Sequence, residues 1–431
     1  MRKYGVLVVV GVVIISFFYL SAIKSDGKEN FEYEWKSTSK KSKIHPSKNP
    51  HLYSFVKNYE NWFSHYFDST NVPGSALCII KDTTILYMNG FGNKINTRVD
   101  PVDDQTVFRL ASVSKGFAGV LVGILADEGV LSLDDPVSKY VPEFTIGTKN
   151  HAKKLKIKHL LSHTTGLSYH TYTTLVEDGM SLDEMLLRFR KIEAATDTGK
   201  VYSYQNVIYS LIEKVVQSAT GKCFSHLMAE KIFMPLGMST ASTCYNEMKK
   251  NHNIAYPHYY TGKSWRDKNI SREYYNVIAA GGLNASINDM SKWLIAIMGN
   301  QPGVIGKDIM EKVFCPRVTT AIKWKYYKRW PFVNKVHYGL GWRILETDRE
   351  DIIHHGGYAN GYRAEIAFIP KEKIGICILV NGPAELANLS LPTFFSMYEQ
   401  HVDSINIWEN QQKILVNLMH GENAIAPIYN W

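Results

Sequence analysis

Phe108-Arg-Leu-Ala-Ser112-Val-Ser-Lys115-Gly-Phe-Ala-Gly-Val-Leu-Val-Gly-Ile-Leu-Ala-Asp-Glu-Gly129 is the most informative stretch of the chain. Its apolar run reads as a helix ended by Gly129. Ser112 then falls in the first turn, where unpaired backbone N–H groups and the positive end of the helix favour developing negative charge. Ser112 and Lys115 are three residues apart and so share a helix face. A serine hydroxyl is a weak nucleophile that needs a base beside it. A lysine becomes that base once burial or its neighbours lower its pKa. The spacing supplies the contact and the apolar run supplies the desolvation. Taken alone, the pair is equally compatible with a serine that merely opens a helix. Ser114 has no lysine at the same spacing, so Ser112 is the reactive candidate.

Two further stretches carry polar groups in suggestive places. In Thr198-Gly-Lys-Val-Tyr-Ser-Tyr204-Gln-Asn206, a glycine turn leads to two polar residues just ahead of a helical run. Tyr204 can pass a proton beside a cation, and Asn206 can donate to a carbonyl. In Ile352-Ile-His354-His355-Gly356-Gly357-Tyr358, the glycines let a strand edge approach a ligand closely. His355 can bind an anionic group or move a proton. A metal site would need a third ligand, and no H-E-x-x-H or similar spacing is present.

Residues 51–67 place Leu52, Phe55, Val56, Tyr59 and Phe63 on one helical stripe. Ser75–Ile80 and Thr84–Asn89 read as strands joined by a Lys-Asp-Thr turn. From about residue 110 the chain reads as helix and loop. Strand patterns return at Gly339–Leu345, Arg363–Ile369 and Ile374–Val380, and Leu386–His401 reads as a closing helix. Strands from both ends with a helical middle predict an α+β fold: one antiparallel sheet flanked by helices, an α-rich lobe, and a site in the crevice between them. Arg363 is a candidate extra charge, aimed either at that crevice or at solvent. The Lys-laced aromatic cluster of Trp324, Tyr326, Tyr327, Trp330 and Phe332 reads as a loop packed on the helical lobe. His163 reads as a loop hydrogen-bonder.

The 431 residues are 45% hydrophobic and 21% charged, which excludes wholesale disorder, collagen and coiled coil. Of the net charge of +9, residues 1–50 carry +5, so the body is nearly balanced and nucleic acid is not an expected partner. Five scattered cysteines without a C-x-x-C pattern give no zinc ribbon or thioredoxin-type site, and Cys78 and Cys377 read as buried small hydrophobes. Arg2 and Lys3 precede an uncharged apolar stretch from Tyr4 to Ile23, long enough to span a bilayer. It reads as a signal anchor, with a cleaved signal peptide as the alternative, and either places the body outside the cytoplasm. Residues 24–50 read as a Lys/Ser-rich linker, 51–402 as the folded domain and 403–431 as a C-terminal extension.

In this order the elements resemble the serine β-lactamase/penicillin-binding fold. The nearest branch is the class C β-lactamase-like serine hydrolases and carboxylesterases of peptidase family S12, over about residues 51–400. Ser112–Lys115 matches the S-x-x-K motif of that fold. Tyr204-Gln-Asn206 matches the Tyr-x-Asn motif, and His355-Gly356-Gly357 stands where β-lactamases carry Lys-Thr-Gly. Leu160-Leu-Ser-His-Thr-Thr-Gly-Leu167, Met234-Pro-Leu-Gly-Met238, Ala280-Gly-Gly-Leu-Asn-Ala-Ser-Ile-Asn-Asp289 and Tyr338-Gly-Leu-Gly-Trp342 also fit, as does Ile374-Gly-Ile-Cys-Ile-Leu-Val-Asn381. The resemblance implies acyl transfer without metal or cofactor, on a small-molecule or peptide substrate. In it Ser112 attacks, Lys115 and Tyr204 relay the proton, and Asn206, His355, Gly356 and Gly357 hold the substrate. The N–H groups of Ser112 and Tyr358 form the oxyanion hole. Histidine in place of the third-motif lysine weakens carboxylate recognition, which favours an esterase or peptidase over a dedicated β-lactamase. The alternative is a binding or scaffold protein of the same fold with little turnover.

Overall fold

Ile374–Val380 is apolar at nearly every position and buried at every one, as befits a strand covered on both faces. It is the last in sequence of the strands in a nine-stranded antiparallel sheet and lies in the sheet's interior. The computed structural model describes residues 43–44, 50–147, 149–321 and 326–421. The strands are β1 (Lys43–Ile44), β2 (Gly74–Lys81), β3 (Thr84–Gly92), β4 (Val318–Thr320), β5 (Val333–Tyr338), β6 (Arg343–Thr347), β7 (Ile352–Ala359), β8 (Tyr362–Ile369) and β9 (Ile374–Val380). They lie in the order β1-β3-β2-β9-β8-β7-β6-β5-β4. Strands from the two ends of the sequence meet where β9 pairs with β2, placing Cys377 opposite Cys78. Both cysteines are buried and reduced, and burial pushes the Cys78 thiol up to about 12.

Side-chain alternation along β9 splits the interior in two. Ile376, Ile378 and Val380 face α1 (Pro50–Thr70) and the closing helix, α5 (Glu385–Gly421). Cys377 and Leu379 face the helical lobe. At the centre of that lobe is α2 (Ser114–Asp127), of whose 14 residues 12 are buried. A helix apolar on all sides is one the fold surrounds. Its glycines allow this. A Cβ on Gly119 would lie 1.9 Å from the Leu340 carbonyl oxygen, and one on Gly116 would lie 2.5 Å from the Trp342 ring. Gly129, at φ +73°, closes the helix where the sequence places its end.

Three expectations are revised. The chain returns to strand sooner than its pattern suggests, at β4 and β5. They lie at one side of the sheet, with β4 its edge, and are half exposed, so their alternation is weak. The closing helix runs through residue 402 to Gly421, because nothing between Glu399 and His420 breaks it. Tyr327 and Trp330 join the α1/α5 core and not the helical lobe, with Trp330 stacked 6.0 Å from Phe395. Trp324 and the N-terminal stretch read as an anchor lie outside the described residues, and among those described no helix is long and apolar enough to cross a membrane.

Gly119→Ala should cost about 2 kcal/mol or more in denaturant unfolding, since neither the helix nor the Leu340 carbonyl can yield. Gly303→Ala, with nothing within 4 Å of its Cβ, should stay within about 0.5 kcal/mol.

Candidate active site

Ser112 sits in a 3₁₀ turn, Ala111–Val113, that runs directly into α2. Ala111 before it has φ +48°, a left-handed conformation that costs a non-glycine residue energy and that tertiary contacts must hold. The Leu110 N–H donates to the Leu283 carbonyl at 2.8 Å, and the Leu283 N–H donates to Ser114 Oγ at 3.1 Å. Ser114 is thereby spent on structure, while Ser112 remains partly exposed between buried neighbours.

Lys115 is fully buried. Its Nζ lies 3.3 Å from Ser112 Oγ, 2.9 Å from Asn206 Oδ1 and 2.8 Å from the Ala280 carbonyl oxygen. All three partners are neutral. Burial first, and the Arg343 guanidinium second, hold the Lys115 amine well below the usual lysine range. The Tyr204 hydroxyl donates to Ser112 Oγ at 2.8 Å, and burial pushes its pKa up, so it keeps its proton. Asn206 stands at the start of α3 (Val207–Thr220). The Ser112, Lys115, Tyr204 and Asn206 side chains, drawn from two distant stretches of sequence, thus meet within hydrogen-bond reach.

The stretch before α3 is held by the Ser162–Gly166 loop. The Gln205 N–H donates to His163 Nδ1 at 3.2 Å and the Ser203 N–H to the His163 carbonyl at 2.8 Å. The His163 ring lies 4.4 Å from that of Tyr204. His163 is a loop hydrogen-bonder, as its sequence context suggests, and its second partner is the motif that carries Tyr204.

The third stretch forms β7, an interior strand with a local free edge. Pairing with β6 ends at His354, opposite Arg343, which leaves His355 to Ala359 open on that side. There the strand backs onto the Ser112 turn. A Cβ on Gly357 would lie 2.4 Å from the Leu110 carbonyl oxygen and 2.9 Å from the Ser112 nitrogen, so only glycine fits. One on Gly356 would meet the Glu365 carboxylate at 2.6 Å. The next residue, Tyr358, follows beside Ser112 with its side chain 55% exposed.

His355 differs from its expected role. It is fully buried, its Nδ1 bonds the Gly356 carbonyl at 2.8 Å, and its Nε2 accepts from the Tyr338 hydroxyl at 3.0 Å. Burial, Arg343 and Lys115 hold it well below the usual histidine range, so it is a neutral strut. Arg363, partly exposed, is engaged by neighbours: it bonds Glu365 and, at 2.9 Å, Asn388 of α5. Sequence reasoning missed the cation that is present, Arg343. Its guanidinium lies 5.8 Å from the Tyr204 ring, 5.5 Å from that of Tyr338 and 3.4 Å from His355 Nε2. The signal was available: Arg343 directly follows the Gly339-Leu-Gly-Trp342 turn, as the only basic residue of the Gly339–Leu345 strand pattern. Among the described residues no group of three His, Cys, Asp or Glu side chains converges as a metal site would.

Comparison with known proteins agrees with this geometry. The chain is 24% identical over 315 residues to an unguisins hydrolase of Aspergillus campestris, covering 70% of this chain and 57% of that protein. It is 23% identical over 360 residues to protein flp of Staphylococcus aureus, covering 80% and 69%. The chain therefore spans little more than half the length of the fungal relative. Among solved structures, an octameric penicillin-binding protein homologue from Pyrococcus abyssi superposes with a TM-score of 0.69 at 25% identity, covering 79% of this chain and 77% of that one. The beta-lactamase family model matches residues 59–390. With that match over most of its length, the chain belongs to the beta-lactamase family and has the mixed α+β fold of its serine hydrolases.

Proposed function

We propose that this protein hydrolyses an ester or amide through an acyl-enzyme on Ser112. The observation that carries the reading is the hydrogen-bond arrangement around Lys115. A neutral primary amine has two N–H donors and one lone pair. Asn206 Oδ1 and the Ala280 carbonyl accept the two N–H groups, which turns the lone pair toward Ser112 Oγ. Lys115 is then the base that takes the hydroxyl proton as Ser112 attacks. Tyr204, which keeps its proton, donates to Ser112 Oγ and is placed to pass a proton to the leaving group. The Ser112 and Tyr358 N–H groups serve the developing oxyanion, each such donor typically contributing a few kcal/mol in the transition state. Asn206, its Oδ1 committed to Lys115, presents its Nδ2 to the substrate. Water then releases the acyl group.

Arg343 refines the substrate class. Tyrosines 327, 202, 338 and 204 surround its guanidinium, with no carboxylate among them. A fixed charge so placed favours a substrate that carries a carboxylate near the scissile carbonyl, which suits a peptidase or an esterase of an acidic substrate. On this reading Tyr4–Ile23 tethers the hydrolase at a membrane, with the domain outside the cytoplasm.

Hydrolysis of a short-chain p-nitrophenyl ester by the full-length chain tests the reading. Turnover should fall by about 10³-fold or more in Ser112→Ala, and turnover equal in the two proteins would sink it.

The pH profile tests the assignment of the base. Lys115 acts only when deprotonated, so kcat/KM should fall as pH drops through its lowered pKa. Removing the Arg343 charge in Arg343→Gln should raise that pKa and move the acid limb to higher pH. A limb that stays in place, or moves to lower pH, would reject Lys115 as the base.

A further inference from the structure

The Ala280 carbonyl that orients Lys115 belongs to a helix too short to stand alone. This helix, α4 (Ile278–Gly281), has four residues. A single turn repays little of the cost of nucleating it, so its place must come from outside. Glu213, on α3, lies at its opening end: the Ala279 N–H donates to Glu213 Oε1 at 2.9 Å. Lys115 lies at its other end, on the Ala280 carbonyl at 2.8 Å. An acceptor at the N-terminus and a donor at the C-terminus each satisfy a backbone group that so short a helix leaves free. The turn is thus clamped between one acid and the lysine of the site. Nothing in the assignment of Ser112, Lys115, Tyr204 and Asn206 uses Glu213.

We infer that Glu213 is a positioning residue, which holds α4 so that the Ala280 carbonyl takes one N–H of Lys115 and leaves the lone pair facing Ser112. The route has three links: Glu213 carboxylate to Ala279 N–H, Ala279 to Ala280 through one peptide, and Ala280 carbonyl to Lys115. Gly282, just past the turn, packs so closely that a Cβ there would lie 2.9 Å from the Tyr274 carbonyl and Ile278 Cα. When the carboxylate is lost, α4 loosens and Lys115 can turn its lone pair away from Ser112. The consequence falls on the chemical step, because Glu213 acts on the base and not on the substrate.

The inference rests on the serine hydrolase reading, and the experiment separates the two. Steady-state ester hydrolysis is compared in the full-length wild type, Glu213→Ala and Glu213→Gln, with Ser112→Ala as the blank. Glu213→Ala should lower kcat about tenfold or more and leave KM within about twofold. Glu213→Gln, whose side-chain oxygen still accepts from Ala279, should recover kcat to within about threefold. An alanine variant with wild-type kcat, a loss expressed in KM alone, or a glutamine variant as poor as alanine would overturn the inference. If Glu213→Ala does not fold, Glu213→Asp replaces it, with the same kcat loss expected from a carboxylate drawn back by one methylene. Crystal structures of wild type and variant provide a readout independent of turnover. The Lys115 Nζ to Ala280 oxygen contact should open beyond hydrogen-bond reach, and an unchanged contact overturns the inference. Absence of Ser112-dependent turnover in the wild type would instead remove the hydrolase reading and leave the structures to judge the clamp.

Discussion

Lys115 is a primary amine taken wholly out of water with no carboxylate to receive its charge. Burying an unpaired ammonium costs several kcal/mol, and a protein escapes most of that cost by leaving the amine neutral. Much of the structure around the site satisfies this constraint. The lobe wraps α2 on every side, which desolvates the amine. Two neutral oxygens accept its N–H groups. Arg343, the nearest fixed charge, repels the protonated form further. An amine that binds a proton poorly in the resting protein is also one poised to take it from a serine.

The same constraint explains why the fold joins a rigid sheet to a helical lobe. Ser112 has to be partly open to solvent while the amine three residues on is sealed from it. The turn at Ala111 achieves this by a left-handed residue that β7 and the backbone of Leu283 hold in place. Gly357 lets the strand backbone come close enough to press on that turn. Gly357 is thus packed against the Ser112 nitrogen by backbone alone, which does not depend on the rotamer of any side chain. A site built from backbone in this way tolerates wide sequence change elsewhere, in keeping with relatives near 24% identity that cover most of this chain.

What the sequence disclosed follows from distance along the chain. The Ser112–Lys115 contact is local, and a three-residue spacing on a helix is enough to see it. Tyr204 and Asn206 were legible as polar residues at a helix start, but their convergence on Ser112 across 92 and 94 positions rested on resemblance and not on spacing. The central strands showed themselves because both faces are buried, whereas β4 and β5, half exposed at one side of the sheet, left only a faint alternation. Arg343 was missed for a different reason. It lies where a strand begins just after a turn, and period-two reasoning does not fix the direction of a side chain there. Glu213 was hidden because its partner is a backbone N–H 66 residues away, which no side-chain pattern records.

The histidine in the third motif then reads as a consequence of electrostatics and not as a loss. A lysine at position 355 would add a second cation beside Arg343 and the neutral Lys115 amine, in a space where both ring nitrogens of the present histidine are already bonded. With no acid there to balance it, such a group would have to lose its proton or displace its neighbours. Imidazole avoids the conflict, since its neutral form is stable and can accept from Tyr338 while donating to the Gly356 carbonyl. The positive charge that a substrate carboxylate would need is carried instead by β6, whose Arg343 lies opposite His354 in the sheet register. His355, bonded through both ring nitrogens, braces β7 beside the Ser112 turn.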